Sequence, residues 1–107
     1  MSTILSNAFS LQMLDLQRTS NVEVEPLTLD EVKSLLKEGF VSAVGHQDTG
    51  AVLSDMLGLD VPCDRINVHL TPDDVLVVAQ ITGGRLPEGT TSLPLGFTLK
   101  FVKVRVL

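Results

Sequence analysis

His46 closes the run Ala43-Val44-Gly45-His46, and the residues after it read as the entry to a helix. Unpaired amides and the positive end of a helix dipole make such a place favourable for an anion. An imidazole there is suited to give a proton to an oxygen leaving a phosphate. It would serve equally as a structural hydrogen-bonding group at a strand end. Arg85 follows Gly83-Gly84, whose lack of side chains lets a backbone approach a ligand closely, and a guanidinium can grip phosphate with two parallel bonds. Glu88, three residues on, could orient a hydroxyl or hold Arg85; a solvated loop with a surface ion pair is the other reading. Asn7 and Ser10 flank Ala8-Phe9 as turn residues or ligand donors. Arg65, Asn67 and His69 alternate along one run, as a ligand-facing row or a solvent-facing one. Cys63 has no activating neighbour and reads as a small buried hydrophobe.

The elements that must position these groups follow from period and punctuation. Thr3–Asn7 reads as a short strand, and Val22-Glu23-Val24-Glu25 alternates as a second one, ended by Pro26. Thr28 and Glu31 have capping-box spacing, which predicts a helix over 28–38 that buries Leu29, Val32, Leu35 and Leu36 and stops at Gly39. Phe40–Val44 is β-like. A second helix is expected from Asp48 or Thr49, burying Val52, Leu53, Met56 and Leu57 and ending at Gly58. Arg65–Leu70 alternates strictly and predicts a strand, while Thr71-Pro72-Asp73-Asp74 is a turn signature. Val75–Ala79, continuously apolar, fits a strand covered on both faces. Gln80 to Gly89 reads as a loop. In the final run, Phe97, Leu99 and Phe101 are odd and Val102, Val104 and Val106 even, which predicts a bulge near Phe101–Val102. The result is an α/β fold: one domain over 1–107, with a mixed β-sheet of about five strands flanked by helices.

Composition narrows the chemistry. The 107 residues suffice for one domain, and 44% hydrophobic content argues against disorder. One cysteine gives neither an internal disulfide nor a Cys-x-x-Cys zinc site, so no metal is expected. The absence of a leader pattern or a bilayer-length apolar run predicts a soluble cytoplasmic protein with no membrane partner. The net charge is −5, but ten of the thirteen acids and only three of the eight bases precede residue 65. This balance argues against duplex nucleic acid, which needs many phosphate contacts, and leaves room for a compact anion held by a few arginines. With four Phe and no Trp or Tyr, a stacking platform for long single strands is also missing.

Asn7-Ala8-Phe9-Ser10, Ala43-Val44-Gly45-His46 leading into a helix, Arg65, and Gln80 followed by Arg85 and Glu88 together resemble the viral ring nucleases, small type III anti-CRISPR proteins. The resemblance runs from about Thr3 to Val106 and rests on the order and spacing of the motifs. It implies a two-fold homodimer that binds cyclic tetra-adenylate and cuts it to linear di-adenylate, in the host cytoplasm if viral. It implies catalytic roles for His46, Arg85 and Glu88, ligand contacts for Asn7, Ser10, Arg65 and Gln80, and no cofactor. A cyclic tetranucleotide has two-fold symmetry, which suits a two-fold dimer. Two other classes are carried beside the enzyme: a non-catalytic protein that sequesters cyclic oligoadenylate, and a mobile-element regulatory protein that merely shares the fold.

Overall fold

In the computed structural model, which describes residues 2–107, the chain order is β1 (Ser2–Ser6), β2 (Val22–Leu27), α1 (Leu29–Lys37), β3 (Val41–Ala43), α2 (Gln47–Leu57), β4 (Asp74–Thr82) and β5 (Thr98–Val106). Met1, part of the expected 1–107 domain, lies outside the described residues. The five strands form one mixed sheet in the order β2-β5-β4-β1-β3. β3, β1 and β4 are parallel, whereas β5 is antiparallel to both β4 and β2.

Two cores sandwich this sheet. On one face Leu5, Val77, Ala79 and Phe101 meet Val32 and Leu36 of α1 and Leu53 and Leu57 of α2. On the other, Ile4, Leu76, Val78 and Val104 are covered by Val68, Leu70, Phe9 and Met13, all from segments outside the helices and strands or from a single 3-10 turn at Leu11–Met13. β4 is therefore buried on both sides from Val75 to Ala79, as its unbroken apolar run requires.

The sheet also explains three departures from the expected elements. The β4–β5 register is continuous from Leu76↔Val104 to Thr82↔Thr98, so the expected bulge at Phe101–Val102 is absent. The change of phase in β5 reflects two covered faces: Leu99 and Phe101 belong to the helical core, and Val102, Val104 and Val106 to the other. Pro26 does not end β2 but lies within it, opposite Val102. β2 is the edge strand, where a residue without an amide is tolerated. Finally, Arg65–Leu70 is not a strand. Val68 and Leu70 are buried while Ile66 is 41% exposed; the run drapes over the sheet and buries alternate residues without joining its ladder. Cys63, expected to be buried, is exposed.

Both helices start close to where their caps predict. Thr28 accepts from the Glu31 amide at 3.1 Å and Glu31 accepts from the Thr28 amide at 3.0 Å, closing the capping box. α2 begins at Gln47, one or two residues earlier than expected, with His46 as its N-cap. It ends at Gly58, whose φ of 66° needs a residue without a β-carbon penalty. The chain then folds back tightly: Ser54 Oγ donates to the Gly50 carbonyl at 2.8 Å and accepts from the Val61 amide at 2.9 Å. A β-carbon on Gly50 would stand 3.0 Å from the Val61 carbonyl, so glycine sets this approach. Ser42 Oγ donates to Pro62 O at 2.6 Å, and the Asp64 amide donates to Val44 O at 2.8 Å. These bonds lay residues 61–65 against the end of β3.

Replacing Thr28 by alanine is expected to lower the unfolding free energy by about 1 kcal/mol, read from urea denaturation. The Glu31 carboxyl is held below the ordinary carboxylate range, chiefly by the Thr28 backbone amide and then by the Thr28 side chain. A depressed folded-state value means the contribution is complete above the unfolded value and is lost as pH falls through the folded one. The stability difference between wild type and Glu31→Ala, followed by thermal denaturation, should therefore be constant at neutral pH and narrow only in acid below the ordinary carboxylate range.

Candidate functional site

The carboxyl ends of the three parallel strands bring distant residues together, at the place where open α/β sheets commonly take ligands. Asn7 follows β1, Gly45 and His46 follow β3, and Gln80 lies near the end of β4. Side chains hold the two peptide groups that flank the Gly45 α-carbon. Asn7 Oδ1 accepts from the Gly45 amide at 3.2 Å, and Arg65 Nε donates to the Gly45 carbonyl at 2.8 Å. Those partners are 38 and 20 residues away in sequence, so the pin at Gly45 is a tertiary feature.

His46 comes next, in extended conformation (φ −130°, ψ 133°). Its imidazole makes no capping bond to α2 and is exposed. Because Gly50 N bonds back to His46 O, the amides of Gln47, Asp48 and Thr49 precede the first intrahelical bond, and the helix carries roughly half a positive charge at that end.

An open cavity of about 400 Å³ lies at this point. Asn7, His46, Gln80 and Arg85 line it, together with Asp48 and Thr49 from the start of α2 and Leu86 from the loop after β4. The other expected residues sit differently. Arg65 is tied to Gly45 at the rear of the His46 peptide rather than in the lining. Glu88 lies in a turn closed by the Thr90 amide on Pro87 O, and the neighbouring Gly89 amide donates to Asp48 Oδ1 at 3.3 Å. Ser10 caps the 3-10 turn by accepting from the Gln12 amide at 3.2 Å and does not line the cavity. Among the described residues, ion pairs join Arg18 to Asp15 and Lys103 to Glu25. Arg85 and Glu88 are not joined in one, so the guanidinium faces the cavity without a carboxylate partner. Arg65, Asn67 and His69 do not form a strand face, because the segment is not a strand.

Asp48 and Thr49 were not among the expected site residues. Their signal was present: they are the second and third residues of the helix that His46 caps, visible once that helix starts at Gln47. Among the described residues no cluster of three or more His, Cys, Asp or Glu could hold a metal ion, and no helix is long and apolar enough to cross a membrane.

A model of the STIV B116-like family matches residues 3–94. The chain belongs to the STIV B116-like family. The match takes in the strands β1, β3 and β4 and all of the cavity lining. Relatives of this B116-like chain are viral proteins. Protein 26 of Sulfolobus islandicus filamentous virus is 38% identical over 69 residues, 64% of this chain and 58% of that one. The ORF117 protein of Acidianus two-tailed virus is 31% identical over 90 residues, 76% of each. The chain thus spans little more than half the length of the first relative. Among solved structures, B116 of Sulfolobus turreted icosahedral virus superposes with a TM-score of 0.82 at 23% identity, covering 98% of this chain and 99% of its own. That likeness establishes a shared B116-like fold.

Asn7 and Arg65 hold the amide and the carbonyl of the same residue, Gly45, so their contributions are coupled. Asn7→Ala and Arg65→Ala should each cost about 1 kcal/mol, and the double variant should depart from the sum by about 0.5 kcal/mol or more. Urea denaturation of the four proteins measures this directly.

Proposed function

We propose that this B116-like protein is a metal-independent ring nuclease that binds cyclic tetra-adenylate and cleaves it to linear di-adenylate ending in a 2′,3′-cyclic phosphate. The observation that carries the reading is His46: an exposed imidazole with no capping duty, at the N-terminus of α2, in a cavity shared with the unpaired guanidinium of Arg85.

The chemistry asks little of the protein. RNA brings its own nucleophile, so a ribose 2′-oxygen forms the new bond to phosphorus while the bond to the 5′-oxygen breaks. Protonated His46 gives its proton to that leaving oxygen. Arg85 and the first amides of α2 oppose the charge that builds on the phosphorane. Glu88, on the turn beside the cavity, orients the attacking hydroxyl and receives its proton. Asn7 and Gln80 hold the nucleotide so that nucleophile, phosphorus and leaving oxygen lie in line. Arg65 acts by fixing Gly45, and Ser10, which caps the 3-10 turn outside the cavity lining, has no part in this reading.

The reading includes a two-fold homodimer. A cavity of about 400 Å³ is near the lower end of the range for one drug-sized ligand and suits part of a four-nucleotide ring, the rest falling to a second copy. The sheet face without helices carries apolar side chains at its β2 edge, where Val22 is 38% and Val24 57% exposed and pair with Val106 and Val104. A second copy is proposed to meet the sheet there. The viral relatives support the setting of the reading, in which the protein switches off type III CRISPR signalling.

A single-turnover assay with labelled cyclic tetra-adenylate in excess EDTA tests it. Wild type should release linear di-adenylate, while His46→Ala should retain the ring and cleave it about 100-fold or more slowly. Binding without cleavage by wild type would make the protein a sequestering one. The absence of both binding and cleavage would overturn the reading, and a strictly monomeric protein in sedimentation would overturn its two-fold form.

A further inference from the structure

Residues 84–93 form a loop rich in turns, and among the described residues one hydrogen bond ties them to the rest of the chain: the Gly89 amide to Asp48 Oδ1, at 3.3 Å. The acceptor belongs to α2 and lines the cavity; the donor adjoins Glu88. The loop is internally braced at that point, since both the amide and the hydroxyl of Thr90 donate to the Pro87 carbonyl. Pro87 to Thr90 is therefore a preformed turn held at one place. Asp48 is also the only acid among the lining residues, in a cavity that otherwise presents Arg85, His46 and a helix N-terminus. A carboxylate there repels an incoming phosphate; its place in the first turn of α2 suits the helix dipole, and the Gly89 amide gives it a second partner.

We propose that Asp48 is a positioning residue whose carboxylate clasps the Gly89 amide and so holds the Pro87–Thr90 turn, with Glu88, at the mouth of the His46 cavity. The inference rests on the ring-cleaving reading for its catalytic consequence but not for the clasp itself. An oxygen acceptor is what the clasp needs; the charge is incidental to it and opposes the ligand. The role thus separates cleanly from an electrostatic one, because asparagine keeps the oxygen and drops the charge.

The test uses the full chain in three forms: wild type, Asp48→Ala and Asp48→Asn. Exchange of the Gly89 amide is followed by NMR, and ring cleavage by single-turnover and steady-state assays. In Asp48→Ala the Gly89 amide should exchange about fivefold faster, the loss of one ordinary hydrogen bond, and kcat should fall. In Asp48→Asn exchange should stay at the wild-type rate, kcat should remain within about twofold, and KM should drop as the repulsion is lifted. Unchanged Gly89 exchange in Asp48→Ala would overturn the clasp. Equal loss of kcat in both variants would assign the effect to charge and overturn the positioning role. Should wild type cleave no ring while Gly89 still responds as expected, the clasp stands and the ring-cleaving reading fails.

Discussion

The site depends on one constraint: β1 is paired on both sides. Ile4, Leu5 and Ser6 each have a partner in β3 and another in β4, all parallel. β1 and β3 therefore end level at Ser6 and Ala43, while β4, level with them at Val78, runs on to Thr82, so the three strands deliver Asn7, His46 and Gln80 to one end of the sheet. Had any one of the three run antiparallel, Asn7, His46 and Gln80 could not share a cavity. The core that holds this arrangement is apolar on both faces of the sheet. Leu5, Leu76 and Val77 are fully buried, and truncating such a side chain to alanine typically removes 2–5 kcal/mol, a large part of a small domain's margin.

Electrostatics at the cavity come from oriented groups more than from net charge. The chain is acidic overall, yet at the cavity the N-terminus of α2, His46 and Arg85 stand beside a single acid, Asp48. Screening confines such a field to about 8 Å at physiological salt. A small anion that enters the cavity meets it at full strength, while a long polyanion meets an acidic surface. Rigidity complements this field. Gly45 is fixed at both its amide and its carbonyl, so the N-cap conformation of His46 is set by the body of the fold and its side chain is left free.

How far the sequence revealed this differs from element to element. α1 was legible because its capping box is local, and all its information lies within four residues. The grouping of Asn7, His46, Gln80 and Arg85 came with the family resemblance; period and punctuation read Gln80 as the start of a loop, whereas it lies within β4. Arg65–Leu70 misled because alternation records only which side chains are buried. A segment lying across a sheet and one hydrogen-bonded within it can bury the same residues. The parity change in β5 misled for a related reason: a strand with both faces covered has two apolar phases and no need of a bulge. Pro26 could be placed only by knowing that β2 is the edge. The Asp48–Gly89 bond spans 41 residues, and no local pattern encodes it.

The β4–β5 hairpin has a consequence for how such proteins change over generations. Seven aligned pairs zip its arms, and the hydroxyls of Thr82 and Thr98 meet at the last of them. Everything between them is outside the ladder, so insertions, deletions or replacements beyond Gly83, where a β-carbon would press to within 2.9 Å of Phe97 Cα, leave strand register and both cores in place. Arg85 and Glu88 live on that tip, whereas His46 is anchored in the body. A lineage can therefore change the chemistry at the cavity mouth by rewriting much of the hairpin tip while inheriting His46 unaltered.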